Sequence, residues 1–204
     1  MNRRLLALAS VLPAVLLTAG CGGGRHQASS SPPTRTQSTT QETSTSPGAL
    51  QAEAASVATG DIADNQVYLV YRSSAGWSMK YPEGWAQRSS PGATVFQDKN
   101  NIVRADVRRG SLPSVGQVRS DPALRVAHIT SPPAVVAPAG VHAIKVVYTT
   151  RSAPNAVTDK RVTLTVDRYY LASAGRVATI DLGTPVGIDN VDAYRLMIES
   201  FRWR

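Results

Sequence analysis

The sequence predicts an α+β domain over residues 61–204, in which a central antiparallel sheet is flanked by helices. Three observations lead to this fold class. Residues 141–149 predict one strand, and apolar residues alternate in the next two, 162–171 and 177–182, which predicts an antiparallel meander of three strands with one buried face. Residues 189–201 carry apolar side chains on two stripes at helical spacing, so we expect a C-terminal helix packed on that sheet with two of its sides buried. The residues before 61 differ in composition, which places them outside the domain.

The first half of the domain is also expected to be mostly strand. Residues 66–71 are β-branched and aromatic and predict one strand. Trp77, Met79 and Tyr81 alternate with polar residues, so they share the buried face of a second strand, which ends at the turn 82–85. Residues 94–97 and 102–108 predict a hairpin around the turn 98–101.

The middle of the domain is less regular. Asp121 followed by proline is typical of an N-cap, and it predicts a short helix through Val126. Residues 131–140 are dominated by Pro, Ala and Val, so we expect a loop, either a plain surface crossing or a segment that binds a partner. Asp189 is the expected N-cap of the C-terminal helix, and Asp192 adds a negative charge to its first turn.

The N-terminus has the pattern of an export signal. Two arginines precede an apolar run over residues 5–17, which is too short to span a bilayer as a mature helix. The small residues Ala19 and Gly20 then lead to Cys21. This resembles the lipobox of bacterial lipoproteins, although Thr18 stands where leucine is commonest. The resemblance implies a signal peptide of residues 1–20 and a diacylglycerol on the sulfur of Cys21. The alternative is an ordinary secretory signal that leaves Cys21 as a free thiol.

Residues 21–60 are predicted to be the lipid anchor and a disordered tether rich in Ser, Thr and Pro. The segment has too few apolar residues to offset the entropy lost on ordering. As a flexible coil it would span roughly 35 Å, so it would hold the domain near the extracytoplasmic face of the cell membrane. A plain spacer and an O-glycosylated segment both fit this composition.

The charge distribution limits the classes of partner. The net charge is +8 at pH 7, but the cations are spread along the chain and do not alternate with aromatic residues. We therefore exclude nucleic acid, whereas anionic lipid or an acidic wall polymer would be attracted. Arginine outnumbers lysine and Ala and Val are abundant, which suggests a GC-rich, actinobacterium-like source.

The domain holds few residues suited to catalysis or metal binding. Cys21 is the sole cysteine, and the domain contains two histidines, His128 and His142, with no nucleophile-elbow, Walker or dinucleotide motif. We therefore predict no catalytic residues, no cofactor and no metal. The rival hypothesis is an envelope hydrolase that uses His128 or His142.

Two other sets of residues leave alternatives open. Asp181, Asp189 and Asp192 would bind a divalent cation if they met, but we favour helix capping by the last two and an ion pair between Asp181 and an arginine. An ion pair between Arg195 and Glu199 is also expected. Three tryptophans would either line a ligand groove or pack in the core, and we favour core packing; they are Trp77, Trp85 and Trp203.

The stretch Gly76-Trp77-Ser78-Met79-Lys80-Tyr81-Pro82-Glu83-Gly84-Trp85 resembles the opening of PsbP/Mog1-like domains. Residues 187–195, together with 157–160, are similar to actinobacterial lipoproteins that carry such a domain. The resemblance implies an α/β/α sandwich with helices on both faces of the sheet. It implies no shared activity, because members of the family are accessory and binding proteins.

From these observations we expect a monomeric, membrane-anchored lipoprotein with a non-catalytic accessory or binding module. Its ligand would be an envelope protein, a wall polymer or a lipid. The alternatives are a lipoprotein that binds a small molecule or a divalent cation and, less favoured, the hydrolase. Cys21, as the lipid attachment site, is the single residue to which the sequence assigns a chemical role.

Overall fold

Two antiparallel sheets make up most of the chain that the computed structural model describes, which is residues 60–154 and 159–204. Strands hold 52% of these residues, whereas helices and 3-10 turns hold 14%. The strands are β1 (Tyr68–Ser73), β2 (Trp77–Pro82), β3 (Ala86–Ser90), β4 (Ala93–Asp98), β5 (Asn101–Arg109), β6 (His128–Val136), β7 (Ala143–Arg151), β8 (Thr163–Ser173), β9 (Arg176–Pro185) and β10 (Arg202–Trp203). The larger sheet has the order β3-β4-β5-β9-β8-β7-β6, and the smaller has the order β1-β2-β10.

The expected α+β architecture, a central antiparallel sheet flanked by helices in a PsbP/Mog1-like α/β/α sandwich, is wrong, because the fold is mostly β. The described helices are α1 (Val115–Arg119), with five residues, and α2 (Val191–Glu199), with nine. Two 3-10 turns, Pro122–Leu124 and Pro138–Gly140, complete the helical content of the described residues. The small sheet, and not a second long helix, therefore packs beside α2 on one face of the large sheet.

The strand predictions are confirmed, and their register explains the sequence pattern. The predicted meander is β7, β8 and β9, with Ile144 opposite Tyr170 and Tyr170 opposite Thr179. Both faces of these strands are buried, whereas a single buried face was expected. The predicted hairpin is β4 and β5, with Phe96 opposite Val103.

The loop expected over residues 131–140 is wrong in its first half. Residues 131–136 belong to β6, which pairs with β7 at the edge of the large sheet through two register shifts. Pro132 and Pro133 exclude a helix here, but an edge strand tolerates them because its outer N–H groups pair with no neighbour. The short helix expected after Asp121 is the single 3-10 turn Pro122–Leu124.

The main core lies between one face of the large sheet and the layer formed by α2 and the small sheet. Its aromatic residues pack in a chain, since the ring centroids of Trp77 and Phe201 are 5.8 Å apart and those of Tyr81 and Phe96 are 4.5 Å apart. On α2, Tyr194 and Ile198 are buried. The predicted helix is therefore confirmed, although one side of it is buried rather than two.

A second core lies on the opposite face, beneath α1 and the 3-10 turn that follows it. Val118 and Leu124 pack there against apolar residues of β7 and β8, which are Ile144, Val146, Tyr148, Leu164, Val166 and Tyr170. This packing fixes α1 and the turn on the β7–β8 half of the face.

The N-cap of α2 is Asn190 and not Asp189 as expected. The Asn190 side chain is buried in a polar network. Its Nδ2 donates to Thr184 Oγ1 at 2.8 Å, to Asn101 Oδ1 at 3.1 Å and to the Gly60 carbonyl oxygen at 3.2 Å. Asn101 Nδ2 donates to the same carbonyl. This network joins the start of the described chain to β5, β9 and α2.

The predicted signal peptide, the anchor at Cys21, the tether up to residue 59 and part of the segment 157–160 lie outside the described residues. Neither α1 nor α2 is long and apolar enough to cross a membrane.

Candidate binding cleft

A cleft of about 440 Å³ lies between β6 and the segment that joins α1 to the 3-10 turn. This volume falls within the range typical of ligand sites. The residues that line the cleft are Arg119, Ser120, Asp121, Leu124, Arg125, Ile129, Pro132 and Pro133. Leu124 and Pro133 are buried and form an apolar floor, whereas Ile129 and Pro132 are exposed. We call this the 119–133 cleft.

The α1 wall of the cleft is held by a capping box. The Ser114 Oγ accepts a hydrogen bond from Gln117 N at 3.2 Å, and Ser114 N donates to Gln117 Oε1 at 2.7 Å. Both orphan donors at the helix start are thereby paired. Val118 is buried against the sheet, so the adjacent Arg119 is carried on a short but fixed element.

Asp121 is the polar centre of the cleft wall, and its oxygens are already paired. Its Oδ1 accepts from Ala123 N at 2.9 Å, and its Oδ2 accepts from the Tyr170 hydroxyl at 2.8 Å. Burial alone would raise the pKa of Asp121. These hydrogen bonds and the charges of Arg168 and Arg108 outweigh burial and hold that pKa below its usual value.

Arg168 supports Asp121 from below. Its Nε and Nη2 donate to the two carboxylate oxygens of Asp181 at 2.6 and 2.8 Å, while its Nη1 lies 4.0 Å from Asp121 Oδ2. The guanidinium also lies 5.3 Å from the centre of the Tyr148 ring. Its side chain is 12% exposed and that of Asp181 is 18% exposed, so this pair is largely desolvated. Burial alone would lower the pKa of Arg168, but the bonds and charge of Asp181 outweigh it and raise that pKa.

The tyrosine of this cluster stays protonated. Burial, followed by the hydrogen bond to Asp121, raises the pKa of Tyr170 to about 12. Since the Tyr170 hydroxyl, Asp121, Arg168 and Asp181 all satisfy one another, this cluster holds the cleft wall in place.

Two arginines give the cleft its charge. Arg119 ends α1, Arg125 caps the 3-10 turn, and both side chains are exposed. Neither has an ion-pair or hydrogen-bond partner among the described residues. Because Asp121 is engaged with Tyr170 and Arg168, the cleft presents an apolar floor between two available positive charges.

The three predicted carboxylates do not form one site. Asp181 pairs with Arg168, as we favoured, and Asp192 pairs with Arg195 at 2.8 Å. Asp189 accepts from Val191 N at 3.2 Å near the start of α2. Within residues 60–154 and 159–204, no three His, Cys, Asp or Glu side chains are grouped so as to hold a metal ion. The predicted ion pair between Arg195 and Glu199 is replaced by the one with Asp192.

The two histidines are far apart. His128 begins β6 and is opposite Thr149, whereas His142 directly precedes β7. Seven residues of extended strand separate those levels of the hairpin, a distance of roughly 23 Å. His128 and His142 therefore cannot act on one substrate atom.

The tryptophans pack in the core and do not line the cleft. Trp77 and Trp85 are buried, and Trp203 is half-buried, with its ring 5.2 Å from that of Phe201. The Arg176 guanidinium covers the Trp203 ring at 4.8 Å. Core packing, which we favoured, is thus what these side chains do in the structure.

The sequence did not single out Arg119, Arg125 or Arg168. One signal for Arg168 was present, because this charge lies between Val166 and Tyr170 on a strand face that is otherwise apolar. A charge at such a position is expected to be paired. No comparable signal marked Arg119 and Arg125, which are ordinary exposed arginines until the fold places them on either side of an apolar floor.

Solved structures of two proteins are similar to parts of this chain. No family model and no curated protein matches the sequence. A solution structure of cyanobacterial PsbP (CyanoP) from Synechocystis sp. PCC 6803 is similar at 16% identity and a TM-score of 0.49, over 71% of this chain and 98% of that one. A crystal structure of a protein from Bacteroides thetaiotaomicron VPI-5482 is similar at 14% identity and a TM-score of 0.44, over 64% of this chain.

The present chain spans 46% of the length of the Bacteroides structure. Cyanobacterial PsbP belongs to the family that the opening motif resembles. At TM-scores below 0.5, neither likeness assigns a ligand, partner or activity to this chain.

Proposed function

We propose that this chain is a lipoprotein anchored through Cys21 at the extracytoplasmic face of the membrane, and that its domain is a non-catalytic binding module. The 119–133 cleft is the binding site in this proposal, and its ligand is a negatively charged group of an envelope partner. The lipobox resemblance and the composition of residues 21–60 support the anchored location. The geometry of the cleft supports the binding role.

The observation that carries the proposal is the pair of arginines on the cleft rim. Arg119 and Arg125 flank the apolar floor at Leu124, and neither has a partner among the described residues. A guanidinium presents a fork of N–H donors that suits a carboxylate or phosphate. An apolar floor with a few convergent polar groups is the usual composition of a binding site.

The chemistry of the cleft favours binding over catalysis. The pKa of Asp121 is held low, so its carboxylate is a poor general base near neutral pH. The pKa of Tyr170, at about 12, makes its hydroxyl a poor acid there, and the same hydroxyl is engaged with Asp121. Ser120 donates to the Gly116 carbonyl oxygen at 3.0 Å and has no histidine to activate it.

The binding role can be tested in intact cells with a photo-crosslinking residue at Ile129, an exposed position in the cleft. We expect one repeatable partner. That partner should be lost when the rim charges are reversed by Arg119→Glu and Arg125→Glu. The matched control carries the photo-crosslinker at Val186, which is exposed and is not a lining residue of the cleft. The same set of products from both positions, or a product that survives charge reversal, would contradict the proposal.

The anchor has a separate test. In the wild-type protein, mass spectrometry of the N-terminal peptide should find acyl chains on Cys21, and the protein should sediment with membranes. Cys21→Ser should move the protein to the soluble extracytoplasmic fraction, because it removes the sulfur that carries the lipid. An unmodified Cys21 in the membrane-bound wild type would refute this part of the proposal.

A further inference from the structure

α1 covers the β7–β8 half of one face of the large sheet, and the other half of that face, over β3, β4 and β5, is exposed. The register aligns Arg88 of β3 with Val95 of β4, and Val95 with Arg104 of β5. Alternate residues of a strand point to the same side, so Arg108 lies on this face with Arg104. Arg88, Arg104 and Arg108 are all exposed. We call these three residues and the sheet surface between them the arginine face.

The spacing of these charges follows from the geometry of the sheet. Arg88 and Arg104 are two strands apart, which places their Cα atoms roughly 10 Å apart. Arg104 and Arg108 are four residues apart on one strand, or roughly 13 Å. Arginine side chains are long and flexible, so a single small anion can bridge at most two of these arginines. A chain with repeated negative charges can engage all three.

The carboxylates nearby leave this face positive. Arg104 contacts Asp106 at 3.7 Å, but their side chains are 54% and 38% exposed, so this pair is weak and open to exchange. Asp181, the cross-strand neighbour of Arg104, is turned to Arg168 by two hydrogen bonds. Arg88 and Arg108 have no ion-pair partner within the described part of the chain.

The arginine face exposes no large apolar side chain, and this favours a polymer over a membrane as its ligand. The large apolar side chains that are exposed in the described residues all lie outside β3, β4, β5 and β9. A surface that docks on a bilayer combines cations with apolar side chains that enter the headgroup region. The arginine face has the cations alone, and the residues between them are small, polar or half-buried, among them Ala93, Val95 and Thr179.

We propose that the arginine face binds a linear polyanion, a soluble polymer that carries phosphate groups along its chain. Each arginine forms one exposed and individually weak contact, and a polymer joins the three contacts so that binding becomes multivalent. The charge of Arg108 also acts on Asp121 of the 119–133 cleft, but none of the three arginines lines that cleft, and the proposal does not depend on the function proposed for it.

The test measures binding of long-chain polyphosphate to the full-length protein in a neutral detergent at several salt concentrations. Replacing Arg88, Arg104 and Arg108 by glutamine should weaken binding by about tenfold or more at low salt and flatten the dependence on salt, since fewer counterions are released. Orthophosphate at an equal total phosphate concentration should not compete.

The matched control removes the same number of charges elsewhere, by changing Arg72, Arg151 and Arg161 to glutamine; all three are exposed and lie outside both the arginine face and the cleft. This control should change the logarithm of the binding constant by less than about a third of the change caused by the first triple. Binding and its salt dependence reflect the phosphate groups that the protein neutralises and not its net charge alone. Equal effects of the two triples would overturn the proposal, and so would competition by orthophosphate. If phosphatidylglycerol vesicles displace polyphosphate from the full-length Cys21→Ser protein in detergent-free buffer, the face is a membrane surface and the proposal is again overturned.

Folding of the variants is checked by urea denaturation, and Arg88→Glu provides a second variant. Arg88 lies on the edge strand β3, whose side chains are all exposed, so this charge reversal should leave stability unchanged. It should nevertheless weaken polyphosphate binding. A stable Arg88→Glu variant with wild-type affinity would contradict the assignment independently of the triple variant.

Discussion

Replacing Arg168 by methionine should lower the free energy of unfolding by about 3 kcal/mol. Methionine keeps much of the aliphatic length of the side chain and removes the charge. Both hydrogen bonds to Asp181 disappear, and so does the guanidinium that covers the Tyr148 ring. The carboxylate of Asp181, whose side chain is 18% exposed, then has lost its arginine partner.

The magnitude follows from the burial of the pair. Removing one partner of a buried ion pair costs about 3 to 5 kcal/mol, because the remaining charge is left without compensation. The lower end applies here, since Arg168 and Asp181 keep 12% and 18% exposure and water can solvate the remaining carboxylate in part. Removal of the cation from the Tyr148 ring accounts for about 0.5 to 1 kcal/mol of that total.

Urea denaturation, followed by the fluorescence of the buried Trp77 and Trp85, measures this loss. The control is Arg104→Met, because Arg104 belongs to the same cross-strand row and contacts Asp106 in a much more exposed pair. That change should cost at most about 1 kcal/mol. The double change of Arg168→Met with Asp181→Leu should regain most of the loss, since it leaves no buried charge unpaired.

Two results would refute this reasoning. Equal losses of stability for Arg168→Met and Arg104→Met would show that burial does not set the energy of these pairs. A double variant as unstable as Arg168→Met alone would show that the cost comes from packing and not from the charge left on Asp181.

Three further predictions test other positions. Gly76→Ala should cost about 2 to 3 kcal/mol in urea denaturation, because φ is +78° and the new Cβ, 2.4 Å from Arg176 Nη1, would displace a guanidinium that donates to the Ala75 carbonyl oxygen. Gly84→Ala, with φ +87° and open space, should cost about 1 kcal/mol, and equal costs would contradict this. The pKa of Asp121 is lower in the folded state than in the unfolded state. The carboxylate therefore contributes its full stabilisation above the unfolded-state pKa of about 3.9 and loses it as the pH falls through the folded-state pKa. Asp121→Asn should make the fall in stability below about pH 5 less steep, and an unchanged slope would count against the lowered pKa. Asn190→Ala should lower the free energy of unfolding by about 2 to 3 kcal/mol, because buried groups lose their hydrogen-bond partners, and a loss under about 0.5 kcal/mol would exclude that role.

Most of the strands that the sequence predicted direct at least one side chain in two into a core. On β9, Ala178, Ile180 and Leu182 are buried at a period of two, and this pattern depends on the strand alone. β3 was missed because all five of its side chains are exposed and no alternation exists to detect. β6 was missed because it is an edge strand with Pro132 and Pro133, whose composition is also that of a loop.

The helical content was overestimated because the family resemblance implied helices on both faces of the sheet, whereas the residue patterns themselves predicted a short helix after Asp121 and the C-terminal helix. Asp121 caps the chain as predicted, but the helix ends after three residues, where Leu124 has reached the core. The capping box of α1 could have been found from Ser114 and Gln117, which stand three residues apart as the motif requires.

The candidate site was less predictable than the fold. The position of Arg168 inside an apolar strand predicts a buried partner, but choosing Asp181 requires the register of the β8–β9 hairpin. Arg119 and Arg125 are six residues apart on different local elements. Their shared position around Leu124 follows from the packing of α1 and the 3-10 turn on the sheet, which no local pattern encodes.

The buried network at Asn190 also has a mechanical consequence. Its hydrogen bonds tie the Gly60 carbonyl oxygen to Asn101 of β5 and Thr184 of β9, which are interior strands of the large sheet. A force applied through the chain before residue 60 therefore reaches the middle of the sheet before it reaches β3 or β6. If the membrane holds the protein through its N-terminus, drag on a bound partner is transmitted from the binding surface to the interior strands β5 and β9, where the network holds residue 60.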